Sequence, residues 1–307
     1  MRIDTKSMSY EEWKETRRKG IGGSDVAAIM GLSRFKSAYT LYLEKTGQIK
    51  NEVNNEYVHF GTILEEVVAK EFSDQTGKKV HKVNAILIHE KYPWMIANID
   101  RKVVGENAIL ECKTTSAWNA KEWQNDEVPQ EYILQVQHYL AVTGSEYAYI
   151  AVLIGGNHFV WKKVERDEEL IKEIIEAEKD FWFHVEAKIP PEPDGSDSTT
   201  ETLEKMYPDA TDDSTLLLPS DLDRLIEERN ALMDQIKQLS EMKTKKENKI
   251  KALLGEHETG ATDKYIVVWK PVKSARFDSK RFKKENEELY WKYAKETSYR
   301  RLTIKEV

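Results

Sequence analysis

Residues 97–113, ANIDRKVVGENAILECK, carry the hairpin pattern from which we build the predicted fold. Two runs rich in Ile, Val and Leu, residues 96–103 and 108–113, lie on either side of Gly105-Glu106. A two-residue turn with glycine in its first position, where φ is positive, is typical of a tight β-hairpin. The pattern therefore predicts two antiparallel strands joined at Gly105 and Glu106.

The turn also fixes which residues face each other across this hairpin. Counting back from it places Asp100 directly opposite Glu111, with Cβ atoms about 5 Å apart. Side chains alternate along a strand, so Glu111 and Lys113 share one face while Leu110 and Cys112 point to the other. Two carboxylates at this separation repel each other unless a positive charge lies between them.

A divalent metal ion is one way to relieve that repulsion. The backbone carbonyl of Cys112 could add a third oxygen ligand beside Asp100 and Glu111, and an all-oxygen ligand set favours Mg²⁺ or Mn²⁺ over zinc. The alternative is that both acids are solvated hairpin residues, because an Asp followed by an ExK occurs by chance in many proteins. The rest of the chain has to distinguish these two interpretations.

Composition limits the class of protein. With 307 residues, 33% charged and 40% hydrophobic, we expect one large domain and a smaller one. The single cysteine excludes an internal disulfide, a zinc–thiolate cluster and an iron–sulfur cluster within one chain. The net charge is −7, so DNA contacts would need local basic clusters such as Arg17-Arg18-Lys19. No apolar run approaches ~20 residues and the N-terminus lacks a signal-peptide hydrophobic region, so we expect a cytoplasmic protein.

The N-terminal region predicts a glycine-rich turn between two short helices. The first helix covers residues 9–19, and GIGGSDVAAIMG, which begins at Gly20, leads into a second helix that starts at Ser24 or Asp25. Backbone amides at this start, together with the Ser24 hydroxyl and Arg17, could hold a phosphate. A plain helix cap with glycines chosen for close packing is the alternative.

A longer amphipathic helix is predicted over residues 56–73. Its apolar face is formed by Phe60, Ile63, Leu64, Val67, Val68 and Phe72. Glu65 lies beside this face. It would approach a metal only if the helix packs against the hairpin, and otherwise it is an ordinary solvated helix residue.

A second clear helix, PQEYILQVQHYLAVTG, opens at Pro129 and ends at Gly144. Gln135 and Tyr139 are four residues apart and share a face, whereas Gln137 points elsewhere on the helix. Amide and phenol groups can hydrogen-bond DNA phosphates or a metal-bound water, but ordinary surface residues are the alternative.

The breaker-rich run IPPEPDGSDSTT, residues 189–200, marks the predicted domain boundary. A hairpin over 147–164 and a helix over 167–187 complete a first domain, residues 1–188. A linker, 189–216, then leads to a C-terminal module, 217–307. We expect this module to be an interaction or DNA-guiding element with the order helix (219–254), strand (265–269), helix (279–295) and strand (301–305).

Four motifs, taken together, resemble the phage lambda exonuclease or YqaJ-like viral recombinase family, a branch of the PD-(D/E)xK nucleases. They are WKETRRKGIGGSD, FGTILEE, the Asp100 hairpin with ECK, and QVQHY, in the family's order and approximate spacing over residues 9–188. The resemblance implies an α/β (α+β) restriction-endonuclease-like core with a mixed central β-sheet flanked by helices. The proline of the family name is absent before Asp100, where Asn98-Ile99 stands, but many members lack it.

The resemblance also implies roles for individual residues. One or two Mg²⁺ ions, or Mn²⁺ in their place, would bind Asp100, Glu111 and the Cys112 carbonyl, with Glu65 helping to fill a second metal position. Lys113 would orient or activate the attacking water. Two further sets match the family's DNA-contacting positions: the phosphate-binding Arg17 and Ser24, and the helix glutamine, Gln135 or Gln137.

The activity implied by the resemblance is 5′ to 3′ exonuclease digestion of linear double-stranded DNA. The resulting single strands would serve recombination with an annealing protein of RecT or Bet type. A homo-oligomeric ring, a trimer threaded by DNA, and a phage or prophage origin in a bacterial host are further expectations. The alternatives are an endonuclease or RecB-like nuclease of other polarity, and an inactive DNA-binding recombination scaffold.

Overall fold

The computed structural model describes residues 1–50, 56–125, 127–210, 215–296 and 298–306. These residues form two compact units, Met1–Pro208 and Asp209–Val307. No helix in the described ranges combines the length and the apolar character needed to cross a membrane.

Strands of the first unit form two separate sheets. Those described are β1 (Arg2–Asp4), β2 (Val80–Lys82), β3 (Ala85–Ile88), β4 (Ile96–Ala97), β5 (Arg101–Val103), β6 (Ala108–Thr115), β7 (Tyr147–Ile154) and β8 (His158–Glu165). The central sheet has the order β2-β5-β6-β7-β8, in which β6 and β7 are parallel and the other neighbours are antiparallel. A smaller antiparallel sheet has the order β1-β3-β4. The first unit is therefore built on a mixed central sheet.

The run 96–103, which the sequence predicted as one strand, is divided between these sheets, and so is the run 80–89 before it. The run 80–89 forms β2 and β3, and the run 96–103 forms β4 and β5. The chain leaves the smaller sheet after Ala97 and enters the central sheet at Arg101. Asp100 lies in this crossing, immediately before β5.

Five described helices of the first unit lie close to predicted positions: α1 (Tyr10–Arg18), α2 (Gly23–Ile29), α4 (Glu56–Thr76), α5 (Gln130–Thr143) and α6 (Glu168–Ala187). The unit also contains α3 (Ala38–Lys45), α7 (Asp197–Met206) and a 3₁₀ helix at Ala117–Trp123, and α7 lies within the predicted linker. Ser9 and Glu12 form a capping box that starts α1. Gly144, in the left-handed conformation at φ 67°, ends α5.

Helices α4 and α5 pack against opposite faces of the central sheet. On one face, Phe72 of α4 belongs to a buried cluster with Leu110 and Tyr149. On the other face, Leu140 of α5 belongs to a buried cluster with Ile109. Because side chains alternate along β6, this strand directs its even-numbered residues towards α4 and its odd-numbered residues towards α5.

The apolar face predicted for α4 is buried only in its C-terminal half, which corrects the sequence expectation. Phe72 is fully buried, whereas Phe60 and Ile63 are both 53% exposed. A helix of 21 residues is about 32 Å long. Beside the N-terminal half of α4, strand β6 ends in Thr114 and Thr115. These two side chains offer little apolar surface for packing.

Part of the predicted linker belongs to the first unit. Helix α7, within the range 189–216, is anchored to α3 by buried hydroxyl groups. Thr199 Oγ1 donates to Ser37 Oγ (2.8 Å), and the hydroxyls of Thr202 and Thr40 are 2.9 Å apart. The first unit consequently ends at Pro208 rather than at residue 188. Residues 211–214 of the predicted linker lie outside the described residues.

The second unit differs from its predicted element order. It contains α8 (Leu222–Leu254), β9 (Thr259–Ala261), β10 (Ile266–Val268), α9 (Ser279–Glu285) and α10 (Glu287–Tyr293). The two strands pair as an antiparallel hairpin. The helix expected over 279–295 is interrupted at Asn286, whose φ of −142° is not helical. No strand occurs over 301–305, a range that the structure describes in full.

Candidate active site

The register of the central hairpin is the one predicted from its turn. Arg101 pairs with Leu110 across β5 and β6, and Gly105 in the turn has φ 82°. Continuing this register by one residue places Asp100 opposite Glu111. The backbone N–H of Cys112 donates to Asp100 Oδ2 (2.8 Å), which fixes the aspartate carboxylate at the end of the hairpin.

Glu111, Lys113 and the α5 residues form one hydrogen-bonded network. Lys113 Nζ donates to Glu111 Oε1 (2.7 Å) and to Gln135 Oε1 (2.9 Å). Gln135 Nε2 in turn donates to Glu111 Oε1 (2.7 Å) and to the Tyr139 hydroxyl (3.1 Å). The network therefore holds the acid and the lysine of the ExK motif in a defined geometry.

Burial and mutual charge determine the electrostatics of this network. Burial, and then the carboxylate of Glu111, raise the pKa of Asp100 well above its usual value. Burial alone would lower the pKa of Lys113, but Glu111 and Asp100 together raise it, which keeps the ammonium group charged. Burial raises the pKa of the Cys112 thiol, whose side chain packs with the apolar cluster under α4. The Cys112 side chain therefore points away from Glu111 and Lys113, as strand alternation predicted.

The donor set fits a hard divalent cation. Glu111 Oε2 is buried and has no hydrogen-bond partner among the described residues. An unsatisfied carboxylate oxygen next to a second carboxylate is the environment that a bound cation would stabilise. Within the ranges that the structure covers, no group of three or more His, Cys, Asp or Glu side chains is arranged to hold a metal. The available set is therefore two carboxylates, Asp100 and Glu111, and the backbone carbonyl of Cys112.

Glu65 lies near this set but is held in an ion pair. Its Oε1 accepts a hydrogen bond from Arg101 Nη1 and lies 3.5 Å from Lys82 Nζ. Glu65 is still close enough for its charge to contribute to the raised pKa of Asp100. Helix α4 thus brings the predicted acid to the hairpin, where Arg101 neutralises it.

The glycine-rich turn brings Arg17 and Ser24 towards the same helix, α5. A Cβ atom at Gly23 would lie 2.6 Å from Tyr139 Cε1 and 2.9 Å from the Gln135 carbonyl oxygen, so only glycine permits this approach. Arg17 Nη2 donates to Ser24 Oγ (3.3 Å), and the Ser24 side chain is exposed. The predicted phosphate-binding pair is therefore preformed beside the Gln135–Tyr139 side of the network.

The same turn is bonded to the strand that precedes Asp100. The Ile21 N–H donates to the Trp94 carbonyl (2.6 Å), and the Ile96 N–H donates to the Ile21 carbonyl (2.9 Å). A Cβ at Gly20 would lie 2.8 Å from the Trp94 carbonyl oxygen, so the backbones meet without room for a side chain. Backbone hydrogen bonds thus connect the turn directly to β4 and the residues that precede it.

Sequence comparison identifies the family. The model of the YqaJ-like viral recombinase domain matches residues 12–146. Over 304 residues, which cover 98% of this chain and 95% of the relative, the chain is 47% identical to the uncharacterised protein YqaJ of Bacillus subtilis (strain 168). The chain belongs to the YqaJ family. The matched range contains every site residue predicted from the sequence.

Solved structures confirm the fold expected from the YqaJ-type motifs. An alkaline exonuclease, LHK-Exo, from Laribacter hongkongensis aligns with a TM-score of 0.52 at 23% identity, covering 64% of this chain and 100% of that one. LHK-Exo in complex with dAMP aligns with the same TM-score at 25% identity, covering 64% of this chain and 96% of that one. The YqaJ-family core is therefore PD-(D/E)xK-like, and the family and these neighbours support a nuclease.

One predicted DNA-contacting residue lies away from the network. Gln137 is buried, its Nε2 donates to the Glu165 carbonyl (2.7 Å), and its Oε1 accepts from the Asp167 N–H (3.0 Å). Both ends of its amide are thus hydrogen-bonded to the connection between β8 and α6. This placement corrects the prediction of Gln137 as a phosphate-binding residue and leaves Gln135 as the helix glutamine.

The QVQHY motif also contains a buried pair that sequence reasoning missed. His138 Nδ1 lies 2.6 Å from Glu178 Oε1 in α6, and His138 Nε2 donates to the Ile96 carbonyl (2.9 Å). Both side chains are completely buried. Glu178 follows Ile171 and Ile174 on the buried face of α6, and this acid at a core position is the signal that would have revealed the pair.

Proposed function

We propose that this YqaJ-family protein is a divalent-metal-dependent exonuclease that digests linear double-stranded DNA from 5′ to 3′. The observation that carries the proposal is the arrangement of Asp100 opposite Glu111, with Lys113 on the same face and one oxygen of Glu111 unsatisfied. The viral recombinase description of the family supports a role in supplying single strands for recombination. The mononucleotide complex of LHK-Exo supports a DNA-degrading relative of this fold.

Asp100, Glu111 and the Cys112 carbonyl would hold Mg²⁺, with Mn²⁺ as a substitute. The bound ion supplies Lewis acidity and positive charge at the scissile phosphate. A second ion would require Glu65 to exchange its ion pair with Arg101 for a metal ligand bond. Arg101 can also bind Glu66, whose side chain is largely exposed, so it keeps one carboxylate partner after such an exchange.

Lys113 supplies charge and orientation to the reaction. Its ammonium group is fixed by Glu111 and Gln135, and such a preorganised donor stabilises the negative charge that develops on the phosphate oxygens. The same group can orient the attacking water by a hydrogen bond. Gln135 acts through Lys113 and Glu111, because its Oε1 accepts a hydrogen bond from Lys113 and its Nε2 donates one to Glu111.

Arg17 and Ser24 would bind the terminal 5′ phosphate. Arginine recognises phosphate through charge-assisted hydrogen bonds, and the exposed Ser24 hydroxyl at the start of α2 adds a further hydrogen bond. Binding of a terminal phosphate at this position makes digestion dependent on a DNA end. This contact is the basis for the proposed polarity.

We further propose that the active form is a homo-oligomeric ring, a trimer through which DNA passes, and that it works with a RecT- or Bet-type annealing protein. Both proposals rest on the family resemblance. Native mass spectrometry of the full chain measures the assembly directly, and a monomeric protein that digests DNA would contradict the ring.

The decisive experiment uses linear duplex DNA labelled at either the 5′ or the 3′ end, with or without a 5′ phosphate, in Mg²⁺, Mn²⁺ or EDTA. We expect digestion in both metals, none in EDTA, early release of the 5′ label and a preference for 5′-phosphorylated ends. Early release of the 3′ label would overturn the polarity, and cutting of closed circles would indicate an endonuclease. No hydrolysis in either metal would indicate an inactive scaffold.

Replacing Lys113 with alanine tests the assigned site. We expect the rate of digestion to fall on the order of 10³-fold, because a preorganised charge is lost from the reaction centre, while DNA binding is largely retained. Lys179→Ala, at an exposed lysine of α6, is the matched control and should digest at the parental rate. Parental activity in Lys113→Ala would mean that the assigned site is wrong.

A further inference from the structure

The C-terminal part of the second unit has a charge opposite to that of the whole chain. Residues 270–305, here called the basic segment, contain twelve Lys and Arg residues and five Asp and Glu residues, a net charge of +7. The full chain has a net charge of −7. A local positive field of this size on an acidic protein favours a polyanionic partner.

The basic segment also exposes several aromatic rings. Phe277, Tyr293 and Tyr299 are each more than 70% exposed, and Trp291 is 48% exposed. Exposed rings clustered in one short segment of a folded protein mark a contact surface, since single exposed apolar residues are common but groups of them are not. These exposed rings lie in a segment that is rich in positive charge.

Helices α9 and α10 place the charges directly beside the rings. Lys283 Nζ lies 4.3 Å from the ring centroid of Trp291 and 5.1 Å from that of Tyr290. Lys292 Nζ lies 5.8 Å from the ring centroid of Tyr293. The acid at the end of α9, Glu285, is paired with Arg281 (2.8 Å), so the remaining lysines of α9 keep their excess charge. The first turn of α10 carries the other two acids of this pair of helices, Glu287 and Glu288.

We propose that the basic segment is a binding surface for single-stranded DNA. Unpaired bases would stack on Trp291 and Tyr293, while Lys280, Lys283 and Lys284 of α9 contact the phosphates. Proteins that bind single strands without sequence preference combine a positive surface with aromatic rings on which bases stack. A duplex buries its base faces and would use the charges alone, whereas a single strand offers both phosphates and unpaired bases to this combination of lysines and rings. Its residues all belong to the second unit, and the proposal does not depend on the chemistry of the active site.

Fluorescence anisotropy of the full chain tests the proposal, with a labelled 30-nucleotide oligo(dT) and a duplex of equal length. EDTA is present throughout, so no nuclease activity enters the measurement. The double variant Trp291→Ala with Tyr293→Ala should bind oligo(dT) at least tenfold more weakly, because each stacked base contributes about 1–3 kcal/mol. Its affinity for the duplex should change by less than threefold.

Two further variants serve as controls. Leu232→Ala with Leu239→Ala, at exposed apolar positions of α8, should bind oligo(dT) as the parent does. Trp291→Phe keeps a ring for stacking and should retain most of the affinity. Lys283→Ala with Lys284→Ala should reduce the slope of log affinity against log salt concentration by about 1.4, corresponding to two lost phosphate contacts.

Parental affinity for oligo(dT) in the aromatic double variant would overturn the proposal, as would an equal loss of duplex binding. An equal loss in the α8 control would also overturn it, because the effect would then reflect the unit as a whole. Circular dichroism of each variant should show parental helix content, as expected for substitutions of exposed side chains. These outcomes are independent of whether the proposed exonuclease activity is observed.

Discussion

Helices α4 and α5 cover the two faces of the same sheet, yet they are held in different ways. Helix α5 is buried along most of its length, and its polar residues Gln135, Gln137 and His138 all have hydrogen-bond partners. Helix α4 buries only Val68, Ala69 and Phe72. Helix α5, on the face of the sheet that carries Lys113, is therefore held along its length. Helix α4, which supplies Glu65 from the other face, is held only at its C-terminal end.

This difference fits the two roles assigned to the helices. A residue that orients a catalytic group has to be held by its own partners, and α5 provides them. An acid that changes from an ion pair to a metal ligand needs freedom to move, and Glu65 lies on the less buried part of α4. Five predictions test whether the difference is real, beginning with the largest expected effects.

The largest losses are expected at buried side chains, first at His138 of α5, which pairs with Glu178 of α6. His138→Ala leaves the Glu178 carboxylate buried without a partner and should lower the free energy of unfolding by about 3–5 kcal/mol. Urea unfolding measures this change in free energy. The control is His158→Ala, at an exposed position of β8, which should change the free energy of unfolding by less than about 0.5 kcal/mol.

The pH dependence of this pair has a defined sign. Burial alone would lower the pKa of His138, but the Glu178 carboxylate raises it above its usual value. The contribution of His138 protonation to stability is therefore complete below about pH 6.5 and is lost as pH rises through the raised folded-state pKa. NMR titration of the His138 imidazole in the parent measures this pKa, and a midpoint below the ordinary histidine value of about 6.5 would contradict the assignment.

Two phenylalanines on α4 test how far that helix is anchored. Phe72→Ala should cost about 3–5 kcal/mol of unfolding free energy, because it empties a site in the buried cluster with Leu110. Phe60→Ala, the same substitution at a half-exposed position, should stay within about 0.5 kcal/mol. Thermal unfolding measures both. Equal losses would mean that the N-terminal half of α4 is covered in solution and that the contrast with α5 is false.

Two glutamines on α5 separate activity from stability. Gln135→Leu should reduce the rate of digestion by about 10–100-fold with little change in unfolding, because Lys113 and Glu111 lose their shared partner. Gln137→Leu should instead cost about 1–3 kcal/mol of unfolding free energy and spare the rate, because buried backbone groups lose their partners. The reverse pattern would restore Gln137 as the functional glutamine.

Substitutions of two glycines should change the free energy of unfolding in opposite directions, and the effect at Gly61 is the smallest of all. Gly23→Ala should lower the unfolding free energy by about 1–3 kcal/mol, because its Cβ would overlap Tyr139 at the contact between α2 and α5. Gly61→Ala, inside α4, should raise it by about 0.5–1 kcal/mol, since its Cβ would meet only Thr114 Oγ1 at 3.7 Å. Destabilisation by both variants would show that α4 is packed as tightly as α5.

The parts of the site that the sequence predicted are those set by local rules. The Gly105 turn determines the register of β5 and β6, and strand alternation then determines that Glu111 and Lys113 share a face. Helix spacing placed Gln135 and Tyr139 together in the same way. Each of these rules acts over a few residues, so one sequence is enough to apply it.

The parts that were missed depend on contacts between distant segments. The apolar run 96–103 gives no sign that Ala97 pairs with β3 while Arg101 pairs with β6. The apolar stripe of α4 does not reveal where the sheet stops supporting it. His138 and Glu178 lie forty residues apart on two different helices. Each is a polar residue at a core position, which indicates that it needs a buried partner but does not identify that partner.

The backbone bonds between Ile21 and β4 have a consequence for how far the proposed enzyme moves along DNA. These bonds join the turn that would bind the terminal phosphate directly to the strand that precedes Asp100. The distance between the bound 5′ phosphate and Asp100 would then determine how many nucleotides separate the bound DNA end from the cleaved bond. Step size would then depend on this backbone geometry, which the close approaches at Gly20 and Gly23 permit.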